Sequence, residues 1–177
     1  MTETATLDAY GVVTDAATLT IERLLPGPVE RVWDYLTRSE LRRQWLASGD
    51  MDLNVNAPFE LTWRNDELTD PPGTRPEGFS ETHSMQSRIT ELEPLRKLTF
   101  TWGDCGSVTM TLEPRGTNVL LTLVHQRISD RKNMLMVGAG WHMHLDILVA
   151  RINGTKAQPF WDGWLRLRDE YDQRIAV

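Results

Sequence analysis

The chain has a single cysteine, Cys105, so it cannot form an intramolecular disulfide, and such usage suits a reducing compartment. It has no long apolar run. The longest, Met134 to Trp141, falls far short of the roughly 20 residues a membrane helix needs. Near the N-terminus there is no basic region, and acids interrupt every apolar stretch, so no signal peptide is expected and the cytoplasm is the expected location. No cluster of Lys and Arg is dense enough to neutralise several phosphates, which argues against nucleic-acid binding. Phosphate-binding glycine motifs, H-E-x-x-H and G-x-S-x-G are all missing.

What is present describes one globular domain. The chain has 177 residues, 40% hydrophobic and 25% charged, enough for one core and cramped for two. Its net charge is −6, and half of that comes from Glu3, Asp8 and Asp15 within the first seventeen residues, which hold no Lys or Arg. Residues 1–17 therefore read as a flexible acidic arm. Seven Trp stand beside three Tyr and four Phe. Trp offers a large flat surface with one N–H that needs a partner, which suits a core seam or a pocket wall.

The periodicity gives the element order. Thr18 to Leu25 alternates as a first strand, with a short one possible at Tyr10 to Val13, and Pro26-Gly27-Pro28 ends it. Pro28 suits the first position of a helix whose buried face is Val29, Val32, Trp33 and Leu36. Ser39 is a candidate N-cap for a second short helix ending near Trp45-Leu46. Strands follow around Phe59–Trp63, Ser80–Glu93, Leu98–Trp102, Ser107–Leu112 and Val119–His125, with a long Pro- and Gly-bearing loop over 65–79. Tight turns between them imply an antiparallel meander. A long helix is predicted from about Ser129 to Asn153, with Met134, Trp141, Leu145, Leu148 and Ile152 on one stripe. Gly138 beside it marks a close approach or a break. A second stripe, Met143, Ile147 and Ala150, needs its own cover. Phe160, Trp164, Leu167 and Tyr171, in a helix begun by Pro159, are the candidate cover, from this chain or from a second copy.

This order resembles the helix-grip fold of the birch-pollen-allergen and lipid-transfer (START-like, SRPBCC) superfamily. Five stretches narrow the resemblance to homologues of the activator of the ninety-kilodalton heat-shock chaperone ATPase. These are Glu22-Arg23 with Pro28 to Trp33, Leu36-Thr37 with Gln44 to Leu46, Glu91 to Pro94 with Leu98 to Trp102, Leu121 to His125, and Gly140-Trp141. They span about Leu19 to Gly154. The family's usual Gly-Gly pair before the strand at Phe59 is replaced by Asn56-Ala57-Pro58. The resemblance implies an α+β domain over residues 18–154, in which a curved antiparallel sheet of six to seven strands grips the long helix. Residues 155–177 then form a helical extension packed on that helix. It further implies a small ligand-binding or co-chaperone-like protein with a place in the stress response. The eukaryotic activator joins this domain to a separate N-terminal one, for which the present length leaves no room.

The expected site is a cavity between sheet and long helix, lined by Phe59, Trp63, Phe100, Trp102, Met110, Leu123, Trp141, Leu145 and Leu148. His125 and His144 are its polar points. The same side chains would serve equally to fill a closely packed interior. His125 continues an apolar strand face, either as a satisfied core residue or as an anchor for a ligand oxygen. His142 and His144 point about 200° apart on a helix and cannot share an ion, so no metal is expected. His142 and Asp146, four apart, read as a helix-surface pair. Cys105 reads as a loop thiol. No cofactor is implied, and no acid–base pair is evident. The expected role is non-catalytic binding of a small apolar or amphipathic molecule. The alternatives are a protein-interaction module, with a chaperone or a homodimer partner, and a cyclase or hydratase working in the same pocket.

Overall fold

The computed structural model describes residues 8–104 and 106–175. Residues 1–7 of the acidic arm, and Cys105, lie outside them. The chain runs β1 (Val12–Asp15), β2 (Thr18–Pro26), α1 (Val29–Thr37), α2 (Ser39–Arg42), β3 (Pro58–Trp63), β4 (His83–Glu93), β5 (Lys97–Trp102), β6 (Gly106–Arg115), β7 (Asn118–Gln126), α3 (Arg131–Asn153) and α4 (Phe160–Arg174). The strands form one seven-stranded sheet in the order β1-β2-β7-β6-β5-β4-β3, every pair antiparallel. With α3 packed on that sheet, this is the α+β helix-grip architecture.

Register explains which residues face inward. Phe100 pairs with Val108, Val108 with His125, and Met110 with Leu123. Period-two alternation then puts Phe100, Trp102, Met110, Leu123 and His125 on the same face. Phe59 joins that face, its ring 5.5 Å from Phe100. Against it lie Trp141, Leu145, Leu148 and Ile152 of α3, all buried. Burying each such side chain contributes about 1.5–3 kcal/mol.

Several local expectations are corrected. Part of the arm is not loose: β1 pairs with β2, and Tyr10 is seated between α3 and α4, its ring 4.9 Å from His142 and 5.6 Å from Tyr171. Ser39 does not cap α2; it is the helix's first residue, and its hydroxyl accepts from the Gly49 N–H at 2.9 Å. The α3 cap is Asp130, which accepts from the Asn133 N–H at 2.8 Å. Where the family carries glycine, Asn56 takes a left-handed φ of 73°, which Asn tolerates better than most side chains.

Arg42, whose role was not evident in the sequence, is almost fully buried. Its guanidinium donates to the carbonyls of Ala47, Thr37 and Gly49. It thus satisfies the Thr37 carbonyl at the end of α1 and ties it to the segment that follows α2.

α4 lies against α3. Phe160, Trp161, Trp164, Leu167 and Tyr171 are buried, as are Met143, Ile147 and Ala150 of the facing helix. The 65–79 loop holds the start of α4. Thr69 Oγ1 accepts from the Phe160 N–H (2.9 Å), the Pro72 carbonyl from the Trp161 N–H (3.0 Å), and Asp66 from the Trp161 indole (2.7 Å). Among the described residues no helix is long and apolar enough to cross a membrane.

Candidate functional site: an aromatic cleft at the open end of the grip

Two aromatic groups meet at one end of the sheet. On the sheet side, Trp63 closes β3 and Trp102 closes β5, their rings 5.4 Å apart and edge-to-face. Trp102 also touches Trp141 (5.3 Å) and His125 (5.1 Å), while His83, the cross-strand partner of Trp63, lies 5.7 Å from it. On the helical side, Phe79 from the long loop packs on Trp164 (5.2 Å) and Trp161 (5.5 Å). Phe160 contacts Trp161 (4.8 Å) and His144 (5.0 Å).

Between the two groups lies a cleft of about 440 Å³, bounded by Trp63, Phe79, Trp102, Phe160, Trp161 and Trp164, with Met136, Gly140 and His144 supplied by α3. A second hollow of about 390 Å³ shares Trp63, His83, Trp102, Met136, Gly140 and His144, and reaches Leu46 and Trp141. Beyond Trp102 a smaller one of about 270 Å³ reaches His125.

The candidate lining residues thus divide. Trp63, Trp102, Trp141 and His144 border the cleft or its extension, and His125 the hollow beyond Trp102. Phe59, Phe100, Met110, Leu123, Leu145 and Leu148 border none of these spaces; they are buried in the core. Close packing between sheet and helix explains this: the middle of the grip is filled by its own side chains. The sequence reading missed Phe79, His83, Met136, Gly140, Phe160, Trp161 and Trp164. One signal was available for two of them: Met136, Gly140 and His144 recur every fourth residue and share a helix ridge. The cross-strand neighbour of Trp63 and the loop carrying Phe79 had none.

The histidines have defined proton positions. Trp141 donates its indole N–H to His125 Nδ1 at 3.0 Å, so the proton of the neutral His125 ring is on Nε2. His144 Nδ1 lies 2.8 Å from the Trp45 carbonyl, which only accepts, so there the proton is on Nδ1 and Nε2 keeps a lone pair. Burial pushes His125, His142 and His144 each down to about 4. His142 is not a surface residue. Its Nδ1 lies 2.9 Å from the Tyr171 hydroxyl, which accepts from the Gly11 N–H at 2.7 Å. Its Nε2 is 3.5 Å from Asp146, which accepts from Arg23 at 3.0 Å. This network, beneath Tyr10 and away from the cleft, joins β2, α3 and α4. Among the described residues, no three His, Cys, Asp or Glu side chains are grouped to hold a metal ion.

A helix-grip domain with an aromatic cleft between sheet end and helices is the class that fold and site define. Residues 26–153 match the family described as Activator of Hsp90 ATPase homolog 1-like protein, and the chain belongs to that family. A Bordetella parapertussis protein, solved in solution by NMR, is 34% identical with a TM-score of 0.79, over 100% of this chain and 97% of its own. CalU16 from Micromonospora echinospora is 22% identical with a TM-score of 0.65, over 88% of this chain and 86% of that one. A conserved Enterococcus faecalis protein of unknown function is 18% identical with a TM-score of 0.67, over 95% and 86%. The last two show the fold alone. No curated protein matches the chain significantly.

Proposed function

We propose that the protein binds a small apolar or amphipathic molecule in the cleft between Trp63–Trp102 and Phe160–Trp164, and does not convert it chemically. The observation that carries this reading is the cleft itself. At about 440 Å³ it lies within the size range of small-molecule sites, and aromatic and Met side chains form most of its wall. Among the described residues no carboxylate lines it to pair with a histidine as acid and base, which supports binding over catalysis. A chaperone-facing role would need an exposed apolar face. Among the described residues the large apolar side chains left exposed are Val12 on β1, Leu24 on β2, and Leu53 and Val55 in the segment before β3.

Gly140 provides the test. A Cβ built there meets only Trp164 Nε1, at 4.0 Å, so a larger side chain extends into the cleft without striking the core. The uncharged fluorescent probe N-phenyl-1-naphthylamine is expected to bind the wild type saturably, and Gly140→Leu to weaken it about tenfold or more. Absence of saturable binding with this probe and with a panel of fatty acids, sterols and aromatics would overturn the proposal. Equal binding to Gly140→Leu would move the site elsewhere.

A further inference from the structure

The cleft's polar atoms include two buried acceptors. Among the described residues no Lys, Arg, Asp or Glu side chain lines either of its two compartments. His144 has committed its one proton to the Trp45 carbonyl, and its Nε2 has no partner among the described residues. Burial keeps the ring neutral, with the group lowered to about 4, so Nε2 is an acceptor at neutral pH. On the same cleft, the Asn65 side-chain Oδ1 is buried and without a hydrogen-bond partner. Both of these groups accept; donors on the same wall include the indole N–H groups of Trp63, Trp102 and Trp164.

We infer that the cleft selects an uncharged, flat aromatic molecule bearing a hydrogen-bond donor, of the phenol or aryl N–H class, and that His144 Nε2 receives that donor. The inference rests on the binding reading above. A purely apolar ligand would expel water and leave the acceptors unmet, which costs affinity. A carboxylate ligand would bring further acceptors and a full charge, with no Lys or Arg among the described lining residues to meet it. A hydroxyl or N–H on an aromatic ring satisfies Nε2 directly. The ring packs edge-on or offset against Trp63, Trp102 and Phe160, the geometries such side chains favour.

Calorimetric titration with three probes of one shape separates these cases: 2-naphthol, 2-methoxynaphthalene and 2-naphthoate. The expected result is 2-naphthol about three- to tenfold tighter than its methyl ether, with 2-naphthoate weakest. His144→Asn keeps an N–H directed at the Trp45 carbonyl while removing Nε2. It is expected to bring the ratio of 2-naphthol to ether affinity down to about one, whatever change the lost ring contact makes to both. In the wild-type protein, the nitrogen resonance of His144 Nε2 should sit where an unprotonated imine nitrogen does, and should move on adding 2-naphthol but not the ether. An ether that binds as tightly as 2-naphthol, or a preference for 2-naphthoate, overturns this inference and leaves ligand binding intact. Failure of all three to bind a protein that still binds N-phenyl-1-naphthylamine overturns this inference alone; failure of that probe and of the wider panel as well removes the binding reading too.

Discussion

Three histidines are held neutral by burial, each by a different partner: His125 by the Trp141 indole, His142 by Tyr171, His144 by the Trp45 carbonyl. Their ordinary value near 6.5 is lowered to about 4 in the fold. Between those two values the unfolded chain binds the protons and the folded chain does not. Their contribution is therefore complete above pH 6.5 and is lost as pH falls towards 4. Each histidine can add a slope of about 1.4 kcal/mol per pH unit across that window. The urea midpoint is expected to fall steeply between pH 6.5 and 4, and less steeply in a Trp141→Phe, His125→Leu double variant. A midpoint flat over that range would show that the rings are charged or solvated. At this scale the sequence was only partly legible. The spacing of His142 and Asp146 suggested a surface pair because Tyr10 and Tyr171, which cover His142, come from the two ends of the described chain.

At the scale of elements, two glycines on α3, Gly138 and Gly140, have opposite surroundings. A Cβ on Gly138 would stand 3.3 Å from the Tyr171 ring, itself fixed by hydrogen bonds to the Gly11 N–H and to His142. One on Gly140 meets nothing closer than 4.0 Å. Gly138→Leu is expected to cost about 1–3 kcal/mol through overpacking against α4. Gly140→Ala is expected to stabilise by up to about 1 kcal/mol through helix propensity. Urea unfolding of the two variants checks the contrast, and a Gly138→Leu protein as stable as wild type would mean that Tyr171 yields without loss. Of the two readings of Gly138, a close approach or a break, the first holds, and the neighbour is the Tyr171 ring. The start of α4 was less legible: its first amides are met by Thr69 and Pro72, distant in sequence, and no local pattern announces such a cap.

Across the whole molecule, the fold was readable because its signals are local and repeated. Alternation of period two marks five of the strands, and a stripe of period 3.6 marks α3. The site was less so, because emptiness is a property of packing in three dimensions. Trp63, Trp102, Trp141 and His144 could be placed facing inward, but not distinguished from Phe100 or Leu145, which neighbouring side chains enclose completely. The helical wall of the cleft comes from α4, so binding and stability are linked through one segment. Phe160, Trp161, Trp164, Leu167 and Tyr171 are all buried, each worth about 1.5–3 kcal/mol. Together they are comparable to the 5–15 kcal/mol that separates a typical domain from its unfolded state. Ending the chain after Gly154 would also expose Met143, Ile147 and Ala150 on α3. The truncated protein is expected to aggregate, or to melt at a much lower temperature, and to lose the fluorescent probe in proportion to its folded fraction or further. Calorimetry and size-exclusion chromatography measure the first effect, and probe titration at a temperature where the fold persists measures the second. A truncated chain that stays monomeric and as heat-stable as the full one would show that α4 contributes nothing to the core. One that folds and binds the probe unchanged would show that Phe160, Trp161 and Trp164 are not part of the site.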